Sequence, residues 1–173
     1  MCDNFSTCSG PKTTTKFCPL RPFVSKKLLK IETEDECYRV TYELHIENQS
    51  STVEPIRLLQ IWDSGIYAAA TTAVLDQIVT GAPAGEPVPV VSQSVVNSLL
   101  PLISIDRLVL GAFVRARIII KIDKTTCLFN NSLLVRSGDQ QPLFPPFYIT
   151  ESIDFKQTIC VNGQICRESN LPL

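Results

Sequence analysis

The chain has 173 residues, 45% of them hydrophobic, with 16 Lys and Arg against 17 Asp and Glu. That length is enough to bury one core, and that hydrophobic content excludes disorder along the whole chain. A net charge of −1 lacks the basic surplus that nucleic acid or an anionic membrane would require, so neither is an expected partner.

No apolar run reaches about 18 residues, so no membrane-spanning helix is expected. The N-terminus lacks the apolar stretch of a secretory signal, and export by that route is not expected either. Cysteine is nonetheless frequent: there are seven, an odd number, so at least one is free, metal-bound or joined to another chain. Cytosolic thiols stay reduced. Many cysteines without an export signal point to a protein made inside a cell and oxidised outside it.

In chain order, residues 1–22 come first: a polar arm that carries Cys2, Cys8 and Cys18 among Ser, Thr, Lys, Gly and Pro. Phe23 to Thr33 reads as a strand. From Tyr38 to Glu47 apolar and polar residues alternate without a miss, the signature of a half-buried antiparallel strand. Asn48-Gln-Ser-Ser51 is a turn cluster, and Val53 to Asp63 resumes as the next strand. Ser64 to Thr80, rich in Ala and Thr, fits a short helix or a strand. Gly81 to Pro89 is a loop, because its prolines cannot donate to a ladder.

Val90 to Leu100 fits a strand or a helical turn. Ala112 to Asp123 is a second long strand, with Val114, Ala116, Ile118, Ile120 and Ile122 on one face. Asp123-Lys-Thr-Thr126 turns it, and Cys127 to Ser137 is predicted to run back as its hairpin partner. Phe147 to Val161 supplies one or two further strands. Asn162-Gly163 predicts a small hairpin between Cys160 and Cys166. Closely spaced strands with few helical signals predict an all-β protein, an antiparallel β-sandwich over residues 23–161, with an extended N-terminal arm (1–22) and a C-terminal tail (162–173).

Chemistry is sparse. The single histidine, His45, sits on the polar face of a strand, where a solvated side chain is the ordinary outcome, and no second histidine supports a nucleophilic triad. Gly81-Ala-Pro-Ala-Gly85 lacks the Lys-Ser/Thr of a phosphate loop. Cys2-x5-Cys8 and Cys160-x5-Cys166 are spaced too widely for a zinc knuckle. No enzyme activity, metal or cofactor is expected. Cys37 and Cys127 stand at or near the starts of strands, and one or both fit buried thiols. Cys160 and Cys166 could staple their own hairpin. Cys2, Cys8 and Cys18 lie on an arm able to reach beyond its own domain, so these five are the candidates for disulfides between subunits.

Tyr42-Glu-Leu-His-Ile-Glu-Asn48 with its polar turn, Ile61-Trp-Asp63, Leu108-Val-Leu-Gly111, the long strand after it and Asn131-Ser-Leu-Leu-Val135 follow one another in an order that resembles the bacterial conserved-repeat domain (domain of unknown function eleven). Leu110 stands where that pattern has proline. The resemblance implies an Ig-like sandwich of structural or surface role, with Asn48, Asp63, Gly111 and Asn131 as motif residues that serve structure. It also implies a setting in which spore-surface proteins are made without a signal peptide and cross-link once exposed.

Sandwich edges carry unpaired backbone groups that another strand can use. The low-charge stretches Ile66–Val79 and Val88–Ile105 suggest surplus apolar surface, which commonly marks an interaction surface; a thick core or short helices capping the sandwich is the equal alternative. The expectation is therefore a self-assembling structural subunit, a homo-oligomer joined by strand pairing and disulfides into a surface fibre or layer on a bacterial spore. A monomeric adhesin-like binding module and a viral capsid or fibre protein are the alternatives.

Overall fold

The computed structural model describes residues 21–50, 53–63, 70–93, 100–126, 128–138, 144 and 146–154. Nine strands are found among them: β1 (Phe23–Thr33), β2 (Cys37–Glu47), β3 (Ile56–Asp63), β4 (Ala70–Gly81), β5 (Val91–Gln93), β6 (Ile103–Leu108), β7 (Phe113–Asp123), β8 (Leu128–Ser137) and β9 (Phe147–Asp154). They form two antiparallel sheets, β1-β2-β7-β4 and β5-β6-β3-β8-β9, which pack as a sandwich consistent with an Ig-like fold.

Alternation along β2 and β7 builds the centre of the first sheet. Val40, Tyr42, Leu44 and Ile46 of β2 face inward beside Ile120, Ile118, Ala116 and Val114 of β7, their partners in register. Ile61 and Leu59 of β3, Leu133 and Val135 of β8 and Ile103 and Ile105 of β6 close the core from the other sheet. This is the two-faced pattern that period-two hydrophobicity produces.

The segment 70–81 resolves as strand β4 rather than helix. Its register slips between Asp76 and Ile78, where Gln77 takes a φ of +52°. The extra residue is a β-bulge, and it puts Leu75 and Ile78 on the core side at a spacing of three. A spacing of three is also what a helix would show, so the bulge masks the period of two that marks a strand.

One expected pairing is corrected. β8 does not run back along β7; it pairs with β3 and β9 in the opposite sheet. The Asp123–Thr126 turn, closed by Thr126 N donating to Asp123 O at 3.0 Å, carries the chain across the sandwich instead. β7 already has β2 and β4 on its two edges, so no backbone donors remain there for β8.

The four sheet edges differ. β1 carries a bulge at Leu29, β4 carries two register slips, and β5 is three residues long. β9 pairs with β8 over eight residues without a slip, and among the described residues nothing pairs with its other edge. Of the apolar stretches singled out from sequence, Val74, Val79, Val88, Val90 and Leu100 are exposed, so part of that surplus lies on the surface. No helix among the described residues is long and apolar enough to cross a membrane.

Candidate functional site

The densest polar chemistry lies inside the sandwich. Strand phase places Lys26 of β1 on the same inward face as Val24, and Lys26 Nζ donates to Asp63 Oδ2 at 2.9 Å. Both side chains have zero solvent exposure. Asp63 ends β3, so this ion pair crosses from one sheet to the other. The ammonium also stands 4.3 Å from the centroid of the Tyr42 ring, a cation–π arrangement.

Asn131 of β8 completes the cluster. Asp63 is opposite Leu133 in register. Asn131 is two residues further along the same face, a diagonal neighbour at about 7–8 Å between Cα atoms. Its carboxamide is wholly buried beside the Tyr42 hydroxyl, yet neither of its polar atoms nor that hydroxyl completes a hydrogen bond. Glu151 of β9 lies opposite Asn131 in register and adds a second negative charge to the neighbourhood.

The electrostatics follow from burial. Desolvation pushes the Lys26 pKa down, opposed by the attraction and hydrogen bond of Asp63 and by the charge of Glu151. Desolvation, then the charges of Asp63 and Glu151, push the Tyr42 hydroxyl far up, so it stays protonated. The interior thus holds an amine hydrogen-bonded to a carboxylate, together with a buried carboxamide that has no hydrogen-bond partner.

A second buried polar group is structural. Asn48, with no solvent exposure, follows β2 and clasps the turn between β6 and β7. Its backbone N donates to Ala112 O at 3.1 Å and its O accepts from Gly111 N at 2.8 Å. Asn48 Nδ2 donates to Leu108 O at 2.9 Å, while Oδ1 accepts from Ser50 N at 3.0 Å. Within that turn Ala112 N donates to Val109 O, and Gly111 takes a φ of +75°, the glycine position of a type II turn.

A Cβ on Gly111 would also come within 3.0 Å of Pro83 Cγ. Gly111→Ala is expected to cost about 1–2 kcal/mol from backbone strain alone. Gly85 has a φ of +85° with nothing near it, so Gly85→Ala reports the backbone term by itself. Urea denaturation midpoints of the two variants should place Gly111→Ala lower.

His45 lies outside the cluster, on the outer face of β2. Its Nδ1 accepts from Arg115 Nε at 3.3 Å, its Nε2 lies 3.2 Å from Glu47 Oε2, and the Phe23 ring stands edge-on at 5.8 Å. Cys37 is a free, half-buried thiol whose Sγ lies 3.4 Å from Glu34 Oε2. Burial first, then that carboxylate, push its pKa up, so it is not activated as a thiolate.

Of the residues singled out from sequence, Asp63 and Asn131 meet in the buried cluster, and Asn48 and Gly111 meet in the clasp. Cys2, Cys8, Cys18, Cys127, Cys160 and Cys166 lie outside the described residues, as does the Asn162-Gly163 hairpin. Lys26 and Glu151 were missed. The signal for Lys26 was its phase: it stands two residues from both Val24 and Leu28, on the apolar face of its strand. No protein-family model matches the chain, and no curated protein matches it.

Proposed function

We propose that this protein is a non-enzymatic structural subunit whose copies assemble into a disulfide-linked fibre or layer at the surface of a bacterial spore. The observation that carries the reading is the contrast among the sheet edges. Bulges or shortness blunt three of them, while β9 keeps a regular eight-residue edge, charged at Glu151 and Asp154 but with no slip, no lysine and no internal proline. Such an edge is a template for a strand of a second copy, which proteins that remain monomeric normally block.

Five cysteines, Cys2, Cys8, Cys18, Cys160 and Cys166, flank the sandwich in sequence, where they can bond neighbours without distorting its core. A head-to-tail contact that repeats without closing generates a filament. Disulfides between copies then make dissociation depend on bond breakage rather than on affinity, which suits a durable coat. The motif resemblance, in which Asn48, Asp63, Gly111 and Asn131 serve structure, supports a surface role.

The test is electron microscopy of the full chain after oxidation, with gels run in the presence and absence of reductant. Regular fibres or sheets are expected, with a ladder that collapses to the 19.2 kDa chain on reduction. Joint replacement of Cys2, Cys8 and Cys18 by serine should remove the ladder. Tyr148→Lys, a charge on the exposed face of β9, should prevent fibres while leaving the monomer folded. A clean monomer under both conditions would overturn the reading.

A further inference from the structure

The buried cluster is built at a cost. Two full charges are removed from water, which their mutual attraction repays only when the geometry is excellent. Beside them, the Asn131 carboxamide has neither its donor nor its acceptor satisfied. Buried amides are nearly always hydrogen-bonded, and one that is not calls for a reason. Nothing in the packing of an aliphatic sandwich requires lysine, aspartate and asparagine to share its interior; Val, Ile and Leu would fill these positions without unsatisfied groups.

We propose that Lys26 and Asn131 react with each other to form an intramolecular isopeptide bond between Lys26 Nζ and Asn131 Cγ, with Asp63 as the catalytic acid and base. Lys26 lies on β1 and Asn131 on β8, so the bond would join one sheet covalently to the other. The Tyr42 ring forms a wall of the reaction site, with the Lys26 ammonium over its face and the Asn131 amide at its hydroxyl.

The step balances without an external oxidant or reductant. The Asp63 carboxylate, 2.9 Å from Lys26 Nζ, takes a proton from the ammonium and leaves a neutral amine. A low-dielectric interior favours that neutral pair over two charges, and burial holds the lysine pKa down in the same sense. The amine lone pair attacks Asn131 Cγ, forming the new C–N bond and a tetrahedral centre. One amine proton passes to the departing amide nitrogen, the old C–N bond breaks and ammonia leaves.

Asp63 then returns its proton to the ammonia, so the net change is one ammonium and one carboxamide converted into a secondary amide and an ammonium ion. Asp63 holds the lysine proton until ammonia leaves, so it acts as acid and base while Asn131 is the electrophile; attack on Asp63 instead would expel water and is told apart by mass. Lys26 lies over the ring of Tyr42 and Asn131 stands at its hydroxyl, so both groups are enclosed in one site, and that enclosure supplies the effective concentration an otherwise slow amide exchange needs. The product also removes the buried ammonium and converts a poorly satisfied amide into one whose N–H can donate to Asp63. This inference stands apart from assembly: a monomer could carry the bond, and a fibre could lack it.

Intact mass spectrometry of the full chain, reduced so that no disulfide contributes, is the first measurement. The mass should fall short of the sequence mass by one ammonia. Digestion should yield a branched peptide that joins the segments around Lys26 and Asn131, a product found in the native chain itself and needing no variant. Cyclisation of Asn131 onto its own backbone also loses ammonia, but it gives no branched peptide and persists in Lys26→Arg.

Lys26→Arg, Asn131→Ala and Asp63→Asn should each restore the full mass, with circular dichroism to confirm that Asp63→Asn remains a folded β protein. A native chain of full sequence mass, with a β spectrum, would overturn the proposal. So would a chain lighter by one water whose branch point maps to Asp63.

Discussion

Replacing Asp63 by alanine, in a chain whose Asn131 is already leucine so that no cross-link contributes, is expected to lower the unfolding free energy by about 3–5 kcal/mol. The reason is the partner left behind. Lys26 has no solvent exposure and its ammonium donates to Asp63, so removing the carboxylate strands a positive charge between two apolar sheets. The Tyr42 ring face compensates only a small part of that loss. In the same background, Lys26→Met with Asp63→Leu should recover most of the loss, because an apolar pair of similar volume has no desolvation cost. Equilibrium urea unfolding of the three chains measures both effects. Equal stability of the single and double variants would mean that Lys26 escapes to water when unpaired and that the site is less enclosed than its burial indicates.

The second large effect is expected at Asn48. Asn48→Ala removes the donor to Leu108 O and the acceptor for Ser50 N, and leaves the buried Leu108 carbonyl without that partner. A loss of about 2–4 kcal/mol follows from stranding these groups. Asn48→Asp keeps an acceptor for Ser50 but places a carboxylate against the Leu108 carbonyl, so it should be no better tolerated than alanine. Gln49→Ala, at the exposed neighbouring position, should change stability by no more than about 0.5 kcal/mol. Thermal melts of the three variants separate a clasp from an ordinary turn residue: similar values for Asn48→Ala and Gln49→Ala would remove the clasp as an explanation.

The two sites differ in how far the chain itself announces them. Asn48, Asp63, Gly111 and Asn131 stood out by their place in a motif order, yet motif order gave no physical role to any of them. Their roles became clear from partners far away in sequence: Leu108 and Ala112 for Asn48, Pro83 beside Gly111, Lys26 for Asp63, Tyr42 for Asn131. Lys26 was hidden in Ser25-Lys-Lys-Leu-Leu-Lys30, where three lysines suggest a solvated face. The bulge at Leu29 separates them. Before it, the inward phase takes Val24 and Lys26; after it, the phase shifts by one and Ile31 rather than Lys30 enters the core.

What the sequence by itself determined is local and periodic. Strict alternation in 38–47 and 113–122 specified strands and their inward faces, because side chains on a pleated backbone repeat every two residues. The Asn48-Gln-Ser-Ser51 cluster marked a chain reversal, because such short polar side chains bond nearby backbone and compete with the ladder. Tertiary structure decided which strands pair. The alternation of β7 and β8 is the same whether they form a hairpin or lie in opposite sheets, and only competition for the two edges of β7 by β2 and β4 sends β8 across the sandwich. It also decided the chemistry of the interior. A lysine, an aspartate and an asparagine on three strands become one site only when the two sheets close and remove water from between them.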